Sequence, residues 1–385
     1  MNLSLSEEQR MIQDIARKFA IAELMPAAER LDKENDRETL LKNLKKLADL
    51  GFMGINIKAD YGGTEAGSVA FSLAITEIAR GCASTAVTTS VTNMVAEVIQ
   101  AVGNDAQKSQ YLPKICSGEY SAGAFCLTEA SAGSDPSGMK ATAMMDGEEW
   151  VINGAKQFIT SGEYAGVFVV WAVTDKTLQK GKGISCFLVE ANTPGMTIGK
   201  AEKKMGQHAS ATNEVLFDNC RVPNDALLGG LNKGYKVAVG ELAGGRIGVG
   251  AMALGIASAA MDFARDYIKE RQQFGQTIAD FQGIQWMLAD AYTELEAARL
   301  LLMNAAYVKE QGQHFGKQAS MAKLYASEVA NKACYTALQL MGGNGYIADY
   351  PLERHARDVR VTTIYEGSSE IQRIIIAKQL LSEAS

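Results

Sequence analysis

The chain has 385 residues, 47% of them hydrophobic and 21% charged, and carries a net charge of −6 at neutral pH. At roughly 150 residues per domain, this length predicts two or three domains. The composition excludes extended disorder, and the mild acidity gives no general attraction to nucleic acid or anionic lipid.

The N-terminus opens on Ser6-Glu7-Glu8-Gln9, a capping-box pattern, with no basic segment leading into an apolar run. Ile12, Ile15 and Phe19, then Leu40, Leu41, Leu44 and Leu47, recur at helical spacing until Gly51. Asp60-Tyr61-Gly62-Gly63 reads as a loop, and two further helical stretches follow, ending near Gly103 and before Pro113. Residues 1–120 are therefore expected to form an N-terminal α domain.

From 121 to 230 the period changes. Asp146-Gly147 and Asn153-Gly154 predict hairpins between the runs Lys140 to Met145, Trp150 to Ile152 and Lys156 to Thr160. Val167 to Ala172, Cys186 to Val189 and Val215 to Phe217 supply further strands. The expected middle domain is an antiparallel β-barrel or sandwich. From 231 to 385 only Pro351 interrupts helical patterning, and Ile247–Arg271, Gln282–Gln311 and Lys317–Met341 have the length of bundle helices. The fold class is α+β, ending in a C-terminal four-helix-bundle domain.

No run approaches the roughly 18 apolar residues that span a bilayer, the best being Val167 to Val173. The six cysteines are scattered among apolar neighbours without a CxxC pair, which predicts buried free thiols in a reducing compartment. The expected setting is cytoplasmic, with a processed mitochondrial matrix form also compatible. Only His208, His314 and His355 are present, no two within a helical turn, so no metal is expected.

Gly248-Val249-Gly250-Ala251-Met252-Ala253 satisfies a GxGxxG/A pattern, but no strand precedes it, and packing between helices explains these glycines better than a dinucleotide turn. Phe125 to Asp135 carries a β run into a loop of small and hydroxyl residues. It reads either as a surface turn or as a source of N–H and hydroxyl donors for a ring edge or phosphate. Lys156 to Gly162 brings an aromatic and a hydroxyl to a turn. Arg271 to Gly275 and Gln339 to Tyr346 each read as the end of a long helix. In Tyr365-Glu366-Gly367-Ser368-Ser369-Glu370, a serine caps the last helix and Glu370 suits its first turn. Glu366 lies outside that helix, either as an exposed loop glutamate or as a carboxylate desolvated into a general base.

In register, "FCLTEASAGSD", "VINGAKQFITSG", "GGRIGVGAMALG", "RQQFG", "LMGGNGY" and "IYEGSSEIQR" resemble the acyl-CoA dehydrogenase family over essentially the whole chain, the short-chain, butyryl-type members most of all. The resemblance implies FAD as cofactor and oxidation of a short- or medium-chain acyl-CoA to trans-2-enoyl-CoA. Glu366 takes the α-proton and the β-hydride passes to flavin N5. It also implies an electron-transferring flavoprotein as partner and a homotetramer.

By the same resemblance, Phe125, Leu127, Thr128, Gly133, Ser134, Phe158, Ile159 and Thr160 contact the flavin. Arg271, Phe274, Gln282, Gln339, Gly342, Gly343, Ser368 and Glu370 hold the rest of FAD, partly from a neighbouring subunit. Ser134, Arg246 and Gly367 face the acyl-CoA. Ala130 stands where the family usually has proline, Phe158 where many members have tryptophan, and Ala243 where an aspartate often contacts CoA. Some relatives place the base just before the arginine matched by Arg246. Here that position is Gly245, which leaves Glu366 as the matching base. Alternatives within the resemblance are an oxidase passing electrons to oxygen, an enoyl-CoA reductase running the same chemistry in reverse, and a catalytically idle scaffold.

Overall fold

The computed structural model describes residues 4–382. Its first segment is helical: α1 (Glu7–Phe19), α2 (Met25–Lys33), α3 (Arg37–Asp49), α4 (Gly67–Gly81), α5 (Ala83–Val102) and α6 (Asp105–Cys116). Ser6 caps α1 as the sequence predicts, accepting from Gln9 N–H while the Gln9 side chain accepts from Ser6 N–H. The expected stop before Pro113 is corrected: α6 runs through Pro113, losing one backbone bond there, and ends at Cys116.

The β segment holds β1 (Gly123–Cys126), β2 (Thr142–Asp146), β3 (Glu149–Thr160), β4 (Val167–Val173), β5 (Ile184–Glu190), β6 (Met196–Ala201), β7 (Thr212–Pro223) and β8 (Leu227–Leu228). They form one eight-stranded sheet in the order β6-β7-β3-β2-β4-β5-β8, with β1 beside β4. Asp146-Gly147 makes the expected hairpin between β2 and β3. Asn153-Gly154 does not: β3 continues through it as one strand against β7, and a shift of register after Ile152 absorbs the irregularity. The sheet is also not purely antiparallel, because β1 runs parallel to β4 from Gly123↔Val167 to Cys126↔Val170.

β4 is buried on both faces. Val167, Val169 and Trp171 pack with Val95, Val98 and Ile99 of α5 and Leu112 and Ile115 of α6. Phe168, Val170 and Ala172 face a second core drawn entirely from the β segment, with Trp150, Ile152, Phe187 and Phe217. One face of the sheet thus encloses its own core, as the barrel expectation requires. The other is fastened to the N-terminal helices.

The last segment contains α7 (Gly234–Glu270), a short hairpin of β9 (Gln272–Gln273) and β10 (Gln276–Thr277), then α8 (Gln282–Glu310), α9 (Gly316–Leu340), α10 (Gly343–Tyr346), α11 (Leu352–Arg360) and α12 (Ser369–Ser382). α7 starts thirteen residues before the expected Ile247. Contrary to the expectation from contiguous apolar runs, it is as a helix long and apolar enough to cross a membrane, but most of it is buried inside the protein. Gly248 and Gly250 lie mid-helix, not at a strand-to-helix turn. A Cβ on Gly248 would sit 2.2 Å from Ser90 Oγ, and one on Gly255 would sit 2.2 Å from the Thr76 carbonyl oxygen. The small-residue stripe therefore lets α4 and α5 press against α7. As a result the two helical segments share a single core, running from Phe19 and Leu44 through Ile75 and Ile256 to Ala330. The six cysteines are buried and free, and no metal-binding cluster of His, Cys, Asp or Glu occurs among the described residues.

Candidate active site

Glu366 sits on a turn between α11 and α12. It adopts φ +54°, followed by Gly367 at φ +85°. A left-handed glutamate costs of order 1–3 kcal/mol and persists only where its surroundings impose it. The restraints are visible. Gln372 Nε2, one turn into α12, donates to the carbonyls of Glu366 (3.1 Å) and Gly367 (2.8 Å). Lys323 Nζ of α9 also donates to the Gly367 carbonyl, at 2.8 Å. The Tyr365 hydroxyl is tied to Gln207 and to the Met252 sulfur.

The Glu366 residue as a whole is half-buried, but its Oε2 has no solvent access and no hydrogen-bond partner. Burial lifts the carboxyl above the ordinary glutamate range, opposed by the charges of Arg246 and Lys323. Arg246, buried on α7, has an unpartnered Nε and among the described residues reaches only Ser320 Oγ, at 3.4 Å. Burial presses its guanidinium downward while Glu366 supports its charge. A Cβ on Gly245 would lie 3.1 Å from Glu366 Oε2 and 2.7 Å from the Met94 sulfur. The carboxylate therefore occupies the space above Gly245, with Met94 of α5 closing the same spot. Positions 245 and 366 converge on one point, and here only the latter carries an acid.

The flavin-contact candidates come together on the β segment. Gln157 N–H donates to the Thr128 carbonyl at 2.9 Å, joining the loop after β1 to the end of β3. There β3 bulges between Lys156 and Ile159, and Phe158 projects at φ +58° with 59% of its surface exposed. An aromatic held outward at a left-handed bulge is a platform for a planar ring. The Thr128, Ser134 and Thr160 hydroxyls make no hydrogen bond among the described residues, and open space surrounds Gly133. Two of these positions turn their side chains away from solvent. Leu127 packs under the sheet and Ile159 is only 1% exposed inside it, so each has only its backbone to present. Phe125 is partly buried against Trp171, with ring centroids 4.3 Å apart.

A second group gathers at the end of the bundle. Arg271 is the C-cap of α7, as the sequence predicts: the helix ends at Glu270, and Arg271, extended at φ −69° and ψ 127°, donates its N–H to the Tyr267 carbonyl. Phe274 and Gly275, both at positive φ, form the two-residue turn of the β9–β10 hairpin, with Phe274 95% exposed. Gln282 and Gln339 are exposed, and Gly342 and Gly343 present an open backbone face. Ser368 bonds the Glu370 carboxylate at the start of α12, holding it below the usual range. No hydrogen bond or ion pair among the described residues links the 271–282 hairpin to the 125–134 loop. The sequence reading passed over Lys323, Gln372 and the fully buried Lys156, whose Nζ meets Glu129 Oε1 at 2.7 Å.

Comparison with known proteins accounts for this arrangement. Residues 6–119, 124–220 and 232–381 match the models of the acyl-CoA dehydrogenase N-terminal, middle and C-terminal domains. The chain belongs to the acyl-CoA dehydrogenase family. Acryloyl-CoA reductase (NADH) of Anaerotignum propionicum is 45% identical over 384 residues, 99% of this chain and 96% of that protein. The short-chain specific acyl-CoA dehydrogenase of Clostridium acetobutylicum is 42% identical over 99% of this chain and 100% of its own length. The structure of butyryl-CoA dehydrogenase from Megasphaera elsdenii superposes with a TM-score of 0.96 at 39% identity, covering 99% of this chain and 100% of that one. An acyl-CoA dehydrogenase is a flavoprotein oxidoreductase, and the relatives this chain resembles include short-chain and butyryl-CoA members.

The donors fit FAD. Phe158 offers a ring face, the free hydroxyls and Gly133 a polar edge, and the Arg271 guanidinium, with no ion pair among the described residues, a counter-charge for a pyrophosphate. Replacing Arg271 with alanine is expected to lower flavin content per chain severalfold without loss of folded protein. The ratio of flavin to protein absorbance after gel filtration measures it, and an unchanged ratio removes Arg271 from the cofactor site.

Proposed function

We propose that this chain oxidises a short acyl-CoA to its trans-2-enoyl form, with Glu366 as the base for the α-proton. The observation that carries the reading is the Glu366 carboxylate itself: buried at Oε2, unpartnered, raised in pKa, and held above Gly245 on a strained turn. A carboxylate without hydrogen-bond partners is more basic than one in water. The α-carbon of a thioester is too weak an acid for it alone, so the developing enolate oxygen needs donors. Glu366 N–H makes no hydrogen bond among the described residues, and the Gln372 and Lys323 contacts to the neighbouring carbonyls fix its direction. Arg246 sits beside the base as a buried cation for the CoA arm. Phe158, Thr128, Ser134 and Thr160 are the residues that would hold FAD, which would supply the acceptor for the β-hydride.

We read the electron acceptor as an electron-transferring flavoprotein and the assembly as a homotetramer. Exposed Trp286, Tyr335 and Tyr346 on the helical bundle provide apolar surface for subunit contacts. Anaerobic addition of butyryl-CoA to the purified holoprotein should bleach the flavin, while NADH alone should not. A flavin untouched by every acyl-CoA from C4 to C8 would reject the reading.

The acryloyl-CoA reductase relative favours a second reading, in which the chain runs the reaction toward the saturated thioester. By microscopic reversibility, protonated Glu366 would then deliver the α-proton. Rates measured in both directions with the same reduced and oxidised partner flavoprotein separate the two.

Met94 gives the chain-length expectation. Its sulfur lies over Gly245 beside the carboxylate, so it limits the room beyond the reacting carbons. Val95, by contrast, packs against Gly123 of β1. Met94→Ala is expected to raise kcat/KM for octanoyl-CoA relative to butyryl-CoA at least about 10-fold, the scale of a few methylenes gaining space. A parallel loss for both substrates would count against Met94 as the limit.

A further inference from the structure

Lys323 is completely buried on α9, and burial pushes its ammonium down to about 8, so at neutral pH it remains largely charged. Its one hydrogen bond among the described residues goes to the Gly367 carbonyl, which already accepts from Gln372 at the same 2.8 Å. That carbonyl needs no second donor. Burying an ammonium merely to supply one would be costly, since a neutral side chain would serve. What distinguishes the lysine is its charge and the group that charge faces.

We propose, resting on Glu366 as the base, that Lys323 is a positioning residue that clamps the Glu366–Gly367 turn and keeps the Glu366 carboxylate ionised between turnovers. The charged neighbours are few. Glu366 faces Arg246 and Glu241 from α7 and Lys323 from α9. Lys323 in turn faces Glu366, Arg246, Glu328 of its own helix and Glu370 of α12. Burial and the neighbouring Glu97 lift Glu241 above the ordinary glutamate range, which weakens its opposing charge and leaves Arg246 and Lys323 as the cations facing the base. Arg246 lies on the side assigned to the CoA arm, where a bound thioester screens it. Lys323 approaches from beneath the turn, through the backbone, and its contribution persists when substrate is bound. Gln372 shares the clamp but has no charge. The hold on the turn and the charge beneath it are thus separable by mutation.

The test uses the flavin-loaded enzyme and the pH profile of kcat/KM. The base must be ionised, so activity falls as pH drops through its pKa, and removing a nearby cation raises that pKa. Lys323→Gln is expected to keep its flavin spectrum, shift the acid limb upward by about one pH unit and lower kcat about 10-fold at pH 7. Lys323→Arg should return the limb to its original place. Gln372→Leu should lower kcat with the limb unmoved. An unmoved limb in Lys323→Gln, or an equal shift in Gln372→Leu, overturns the proposal. If both Lys323→Gln and Lys323→Met fail to hold flavin, the lysine serves folding instead and the proposal is equally overturned. Glu366→Gln in the same series separates the two claims. If it stays active, the base assignment falls. If it is inactive while the Lys323 variants match the parent, only the role of Lys323 falls.

Discussion

Glu366→Gln is expected to keep its flavin and its affinity for acyl-CoA while losing at least about 10³-fold in kcat, the scale on which a positioned base contributes. Glutamine fills the same space above Gly245 and against Met94, and it leaves the backbone N–H and the Gln372 and Lys323 contacts in place. Only the ability to take a proton is removed. The parent should also show an acid limb in kcat/KM above the usual carboxylate range, because burial raises the Glu366 pKa and the proton-accepting form is lost as pH falls through it. The variant's residual rate should lack that limb. Flavin bleaching by butyryl-CoA in a stopped-flow mixer isolates the chemical step. A bleaching rate equal to the parent's would reject Glu366 as the base, since no other acid occupies the position that Gly245 leaves open.

Much of this site is legible along the chain because its parts are local. Glu366 stands outside a helix that Ser369 begins, and the turn is written in the adjacent Gly367 and the serines. Gly248, Gly250 and Gly255 signal close helix packing because only their spacing matters. Other parts depend on partners distant in sequence. Asn153-Gly154 carries a strong local turn signal, yet β7 supplies a full ladder on either side and the strand continues. The parallel pairing of β1 with β4 spans forty-odd residues and leaves no period in the sequence. Lys323 looks like any helix-surface lysine until α12 and the base-bearing turn close over it. Whether such a side chain meets water or a carboxylate is decided by packing, which no window of neighbouring residues contains. The two helical ends likewise read as separate domains because their shared core forms only when α4 and α5 meet α7.

Breaking the buried pair Glu129–Lys156 is expected to carry a large stability cost. Lys156 has no exposed surface, and its Nζ bonds Glu129 Oε1 at 2.7 Å and the Leu127 carbonyl at 3.3 Å. Glu129 also accepts from the N–H groups of Lys140 (2.6 Å) and Ala141 (3.0 Å), tying the flavin loop to the approach of β2. Glu129→Ala would strand a buried ammonium and orphan two N–H groups, an expected loss of about 3–5 kcal/mol in unfolding free energy. Lys156→Met strands the carboxylate instead, but the two N–H donors still serve it, so a smaller loss is expected. The double replacement Glu129→Leu with Lys156→Met removes both charges, and should be less damaging than the sum of the single variants. Urea titration of the apoprotein, followed by tryptophan emission, reads the change directly, because Trp171 lies in the core shared with Leu127. Flavin affinity should fall in the same order, since Thr128 lies between the two anchored carbonyl and carboxylate groups. Strict additivity in the cycle would mean that the two charges are solvated independently, and the pair would then not be what holds the loop in place.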